Sequence, residues 1–290
     1  MSHENSAATV WVTGAGGLIG HQLVELAACF APGMKIIGLT RAQLDLTDHA
    51  AVTRAFREQR PSLVIHCAAM SKSPACQADP ARAKLVNVEV TRHLAELAEE
   101  IPFIFFSTDL VFDGRQGNYV ETDAPNPLSI YAETKVAAEQ IVLRNPRHTI
   151  VRTSLNFGRS PKGDSAFNED LLIQLRTGKK VSLFTDEFRS PIPAAITARA
   201  VWELAAQKAT GVFHLAGVER LSRWDIGQLV IARTPEFATQ LVAASRSTYS
   251  GAPRPPDTSL NCAKIQHILS FPLPKFSAWM PANVSLTAQS

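Results

Sequence analysis

The apolar run Val10–Thr13 breaks into three glycines at three-residue spacing, Gly14, Gly17 and Gly20. A strand that ends in a glycine turn and then opens a helix is a grip for a dinucleotide pyrophosphate. The helix N-terminus presents free N–H groups to the negative charge. Gly14 permits the tight turn, Gly17 lets backbone approach the phosphates, and Gly20 lets the helix pack on its strand. The spacing departs from the usual G-x-G-x-x-G, because Ile19 stands where that pattern has its last glycine. Alone, such a turn is also compatible with a loop that binds nothing.

The rest of the chain supplies the context. Short apolar, β-branched runs recur at Lys35–Leu39, Leu63–Cys67, Phe103–Ser107, Thr149–Thr153 and Val212–Ala216. Helical stripes lie between the early ones: Leu18, Leu23, Leu26 and Ala27 in the first, and Val90, Leu94, Leu97 and Ala98 in another. This alternation predicts an α/β fold, a Rossmann-type doubly wound parallel sheet. Such sheets bind ligands beyond the carboxyl ends of their strands. The second half is less regular, loop-rich from Asn156 to Arg189 and again from about Pro235. The expected organisation is a dinucleotide-binding core over 7–155, completed by about 190–234 with a helix-like stretch at 193–207. A small discontinuous substrate-binding lobe is expected from 156–189 and 235–285, and the last ten residues are polar enough to fray.

Bulk properties narrow the partners. A chain of 290 residues, 46% hydrophobic, can bury a full core. A net charge of +3 without a long basic run disfavours nucleic acid. Cys29, Cys67, Cys76 and Cys262 form no C-x-x-C pair and read as thiols in a reducing compartment. Met1–Ala8 lacks the apolar stretch of a signal peptide, and no run is long enough to span a bilayer. A cytoplasmic protein with no membrane partner is expected. The eight histidines show no metal-ligand spacing, so no metal is expected; His66 and His214, inside strands, read as satisfied core residues.

The end of the second strand decides the dinucleotide. An NAD-binding turn places a carboxylate there for the ribose hydroxyls, whereas this chain has Gly38, Leu39, Thr40 and Arg41. Arg41 could pair with a 2′-phosphate, or it is an ordinary solvated charge. Asp45, four residues on, is within reach of adenine or ribose. NADP is the expected cofactor, with NAD as the alternative.

Chemistry concentrates at two places. The strand from Phe103 ends in Ser107, Thr108 and Asp109, where substrate would sit. Tyr131 and Lys135 then open a helix one turn apart on one face. A free phenol, with a pKa near ~10, is a poor acid–base catalyst at neutral pH. A neighbouring ammonium favours phenolate and is expected to bring that pKa down. Alone, Y-x-x-x-K also fits a surface helix with a half-buried tyrosine. Asn87, at the start of a helix, reads by position as a cap. In the variable lobe, Arg189 and Arg254 read either as forks for a substrate diphosphate or as structural ion pairs.

Motifs along nearly the whole sequence resemble the extended short-chain dehydrogenase/reductases, in particular the dTDP-4-dehydrorhamnose reductase branch. They are TGAGGLIG from Thr13, LDLTD from Leu44, VIHCAA from Val64, VNVEVT from Val86 and STDLVFDG from Ser107. YAETK from Tyr131, VRTS from Val151 and RPPDTSLN from Arg254 complete the set. The resemblance implies catalytic roles for Thr108, Tyr131 and Lys135. It implies cofactor contacts from Gly14, Gly17, Leu18, Ile19, Gly20, Arg41, Asp45 and Leu46, and from Cys67, Ala68, Ala69, Asn87, Tyr131, Lys135 and Ser154. Substrate contacts would come from Ser71, Thr108, Asp109, Arg189 and Arg254.

The chain departs from the branch at two places. Leu110 replaces an aromatic after STD, and Leu155 to Gly158 replaces a Trp-Val-Tyr-Gly run. Both would alter the sugar pocket. Related dehydratases carry Asp-Glu after the threonine, and Asp109-Leu110 lacks the second carboxylate. The implied function is an NADP(H)-dependent reductase of a keto group on a nucleotide-linked sugar, with a homodimer left open. The alternatives are a non-catalytic NADP-binding regulatory subunit and a nucleotide-sugar epimerase.

Overall fold

The computed structural model describes residues 7–283. The first six residues and the last seven, within the stretch expected to fray, lie outside the described residues. The first half alternates strand and helix: β1 (Thr9–Thr13), α1 (Leu18–Phe30), β2 (Lys35–Leu39), α2 (His49–Gln59) and β3 (Leu63–His66). Next come α3 (Ser73–Ala78), α4 (Pro80–Lys84), a single π-helical stretch at Leu85–Glu89 and α5 (Val90–Leu97). Then follow β4 (Phe103–Thr108), α6 (Ile130–Val142) and β5 (Thr149–Thr153). The second half holds β6 (Asn156–Phe157), α7 (Phe167–Arg176), β7 (Val181–Phe184), β8 (Phe188–Arg189), β9 (Ile192–Pro193), α8 (Ala194–Ala206) and β10 (Gly211–Leu215). It ends with β11 (Leu221–Ser222), α9 (Arg223–Ile231), β12 (Leu241–Ala244), α10 (Ala263–Gln266) and α11 (Phe276–Asn283).

Six strands form one sheet in the order β10-β5-β4-β3-β1-β2, and every neighbouring pair is parallel. Alternation along β1 sorts its side chains. Val10 and Val12 pack with Leu23 of α1 and Trp202 of α8, while Trp11 packs on the opposite face with Val52, Leu94 and Phe105. The sheet is therefore covered by helices on both faces, as a parallel sheet requires. Strand order reverses at β1, which has β2 on one side and β3 on the other. The crevice between the carboxyl ends of β1 and β3 is the natural ligand site of such a sheet.

The strand expectations agree with the structure to within a residue at either end. The expected lobe boundaries do not match the packing. Residues 156–189, expected to be loop-rich, contain α7, whose Leu171, Leu172 and Leu175 cluster with Val181 and Leu183 of β7. Helix α9, placed by sequence with the core, packs Ile226, Val230 and Ile231 into that same lobe cluster. Conversely, Leu260, Cys262, Ile265, Leu269 and Leu273 were expected in the lobe and join the core cluster that holds Phe213 and Leu215 of β10. Apolar periodicity marks which side chains are buried but not which partner covers them.

Glycine is obligatory at the turn. Gly14 has φ 71°, and a Cβ there would stand 2.7 Å from the Ala68 amide nitrogen. A Cβ on Gly20 would lie only 2.3 Å from the Gly14 carbonyl oxygen, so backbone would have to move. Gly20→Ala is expected to lower the free energy of unfolding by about 1–3 kcal/mol in chemical denaturation.

Candidate active site

A cavity of about 650 Å³ opens at the strand-order reversal. Its floor is the glycine turn and the start of α1, with Gly14, Gly17, Leu18, Ile19 and Gly20. The loop after β2 adds Arg41, Asp45 and Leu46, and the loop after β3 adds Cys67, Ala68, Ala69 and Ser71. The far end holds Thr108, Tyr131, Lys135 and Ser154. Sixteen of the expected residues thus share one cavity.

The lining fits a dinucleotide. Helix α1 starts at Gly17 with no side-chain cap, so its first N–H groups face the cavity rather than a side-chain oxygen. A Cβ on Gly17 would meet only the Gly14 carbonyl oxygen, at 3.4 Å, which leaves room for a phosphate before the turn. At the far end the Ser107 hydroxyl is buried without a hydrogen-bond partner and lines the same space. Such an orphan is what a ligand hydroxyl or amide satisfies.

Ser129 caps α6, its hydroxyl accepting from the Ala132 amide, and this sets Tyr131 at the second position of the helix. Tyr131 is 8% exposed and Lys135 3%. The ammonium of Lys135 lies 3.9 Å above the centre of the Phe105 ring, which fixes it against β4. Burial pushes the Lys135 pKa down to about 7, with Glu139 and Cys67 partly opposing.

The expected easing of the phenol is overturned. Burial, with the Asp109 carboxylate adding to it, pushes the Tyr131 pKa up, while the Thr108 hydroxyl and Arg189 act the other way. Lys135 is itself desolvated, which weakens its pull on the phenol's proton. The phenol stays protonated.

Four expected residues do not line the cavity. Asp109 is fully buried and accepts from Arg189 Nε at 2.5 Å and from a second nitrogen of the same guanidinium. Ser154 Oγ (2.7 Å), Thr108 Oγ1 (3.1 Å) and Thr258 Oγ1 (3.2 Å) donate to it as well. Arg254 donates to both oxygens of Glu187, at 2.5 and 2.9 Å, and Arg223 donates to the same carboxylate at 2.9 Å. Arg189 and Arg254 are thus the ion pairs that the sequence left as one option. Arg189 ties the lobe to the end of β4, and Arg254 closes a pair within the lobe.

Asn87 is not a cap. It lies within the π-helical stretch, where its amide accepts from Met70 N at 2.8 Å and donates to Met70 O and Thr134 Oγ1. It stitches the loop after β3 to the residue before Lys135, and this role is consistent with the extra turn residue at that point. His66 and His214 are satisfied core residues: His66 contacts Thr13 and Thr91, and His214 contacts the Tyr119 carbonyl.

The family described as RmlD substrate binding domain matches residues 8–287. The chain belongs to that family. It is 28% identical over 280 residues to the dTDP-4-dehydrorhamnose reductase of Sinorhizobium fredii, covering 91% of this chain and 93% of the relative. It is 26% identical over 269 residues to methionine adenosyltransferase 2 subunit beta of Xenopus laevis, covering 88% of this chain and 80% of that one. The crystal structure of dTDP-4-dehydrorhamnose reductase from Bacillus anthracis in complex with NADP superposes with a TM-score of 0.85 at 23% identity, covering 95% and 98% of the two chains. Membership of the RmlD substrate binding domain family agrees with the branch that the motifs resemble, and the shared fold is the Rossmann-type sheet described above. Among the described residues, no helix is long and apolar enough to cross a membrane.

Sequence reasoning missed several lining residues, among them Arg82, Val86 and Val90, whereas Ser107, read from the sequence as a strand-end hydroxyl, does line the cavity. Arg82, Val86 and Val90 recur at four-residue intervals, a signal that becomes readable once one of them is placed on the cavity.

The Glu187 cluster makes a pH prediction. Burial raises the Glu187 pKa, but Arg223, Arg254 and Arg189 together overturn this and hold it down at about 2. A depressed carboxylate pKa contributes stability that is complete above the unfolded value of 4.5 and is lost as pH falls through about 2. Unfolding free energy is expected to drop by roughly 3 kcal/mol across that window from this group alone. Denaturation curves of Glu187→Gln should show a flatter acid limb and a less stable protein at neutral pH.

Proposed function

We propose that this protein is an NADP(H)-dependent reductase of a keto group on a nucleotide-linked sugar. The observation that carries the reading is that Thr108, Tyr131 and Lys135 line the same cavity as the glycine turn. When bound, the dinucleotide supplies a hydride to the carbonyl carbon. The chain's own residues handle the oxygen. A carbonyl oxygen that gains negative charge is far more basic than a phenolate, so the Tyr131 O–H gives up its proton to it downhill. A raised phenol pKa keeps that proton in place until the charge develops. Thr108, held by its bond to Asp109, orients the oxygen, and Lys135 supplies the local donor that steadies the phenolate left behind.

The glycine turn and the α1 N-terminus hold the pyrophosphate, and Ser107 and Lys135 lie where the nicotinamide half would rest. Arg41 and the absence of a carboxylate at residues 38–41 favour NADP over NAD. The likeness to the Sinorhizobium fredii enzyme supports a sugar-nucleotide substrate. The side chains of Leu110 and Leu155, in place of aromatics, leave its sugar open.

A second reading, a nucleotide-binding subunit without turnover, is favoured by the likeness to methionine adenosyltransferase 2 subunit beta. One panel separates the two. Under the reductase reading NADPH is oxidised with at least one keto-sugar nucleotide, and Tyr131→Phe lowers that rate by roughly 10²–10⁴-fold. Dinucleotide affinity in the variant should be nearly unchanged. Tight NADPH binding with no oxidation across the panel would favour the subunit, and undiminished turnover in Tyr131→Phe would remove the phenol from the mechanism.

A further inference from the structure

The end of the cavity away from Tyr131 is lined from two sides. The loop after β2 contributes Thr40, Arg41 and Asp45, while Arg82, Val86 and Val90 approach from the helical segment after β3. The charges there are not balanced. Asp45 is the one carboxylate of this lining, and it is already taken up by Thr47, whose N and Oγ1 donate to it at 3.0 and 2.7 Å. Arg41 Nε stands 3.8 Å from it, with its side chain 75% exposed. Arg82 is exposed and reaches Asp45 only through its field, without a short ion pair to it. Two arginines on separate elements therefore line the same space, and both act electrostatically on its one carboxylate. Val86 and Val90 beside them offer an apolar wall suited to the face of a purine.

We infer that Arg82 and Arg41 form a two-armed clamp for a phosphate on the 2′-oxygen of the adenosine ribose, with Arg82 its arm across the cavity. This rests on the reading of the cavity as a dinucleotide site. In that reading the pyrophosphate occupies the glycine turn, and the ribose lies at the end of β2, where a 2′-phosphate would project between the two arginines. A phosphate monoester carries close to two negative charges at neutral pH, and planar guanidinium groups bind its oxygens bidentately. NAD, with a neutral hydroxyl at that position, gains nothing from the second arginine.

Calorimetric titration of the full chain with 2′,5′-ADP and with 5′-AMP tests the clamp without relying on turnover. The native protein should bind 2′,5′-ADP more tightly. Arg82→Ala should weaken 2′,5′-ADP by about tenfold while leaving 5′-AMP within about twofold. Arg82→Glu should weaken it further, and NADPH should follow 2′,5′-ADP as NADH follows 5′-AMP. Because Arg82 is exposed, its variants should melt as the native protein does. Equal weakening of both nucleotides, or no change in either, overturns the clamp while leaving the dinucleotide site in place. If the native protein binds neither nucleotide nor either dinucleotide, the cofactor reading falls and the clamp with it.

Discussion

The bond between Asp109 and Arg189 joins everything that must be held still. Asp109 directly follows the strand that ends in Thr108, and Arg189 belongs to the short strand β8 of the lobe. Ser154 at the end of β5 and Thr258 in the late loop donate to the same carboxylate. One buried anion thus gathers the ends of two sheet strands and two segments from the second half. Next to it, Glu187 gathers Arg223 and Arg254, and Arg189 lies 4.0 Å away between the two clusters. Buried pairs of this kind add little net stability over an apolar core, yet losing one partner strands a charge and costs about 3–5 kcal/mol. They specify how the two halves meet more than how strongly.

That junction also sets the chemistry. The Asp109 carboxylate raises the affinity of the Tyr131 phenol for its proton, and it anchors the Thr108 hydroxyl. Burial alone would raise the phenol and weaken Lys135, and both shifts are present. The same buried anion therefore serves the packing of the lobe and the proton donor.

Much of the core was readable beforehand because it follows from local rules. Parallel strands buried on both faces appear as apolar runs, and the glycines of the first turn have close-packing reasons that can be stated before any coordinates exist. The lobe was less readable. Three leucines in α7 form too short a stripe to declare a helix, and α9 carries a core-like pattern but turns it to the lobe. Arg189 looked the same to sequence whether it met a carboxylate or a phosphate, since both ask for a fork. Arg82 drew no notice because its importance lies in what stands across the cavity.

By itself, the sequence determined the α/β alternation, the dinucleotide turn and the pairing of Tyr131 with Lys135 on one helix face. Each of these depends on neighbours within a few residues, where spacing dictates geometry. Tertiary structure alone decided the direction in which the phenol's pKa moves, the partners of Asp109 and Glu187, the place of Asn87 within its helix and the side that α9 covers. Those outcomes depend on desolvation and on groups far away in the chain, such as Arg189 for Asp109, 80 residues on, and Arg254 for Glu187, 67 residues on. Local pattern carries no record of which distant groups will share a dry interior.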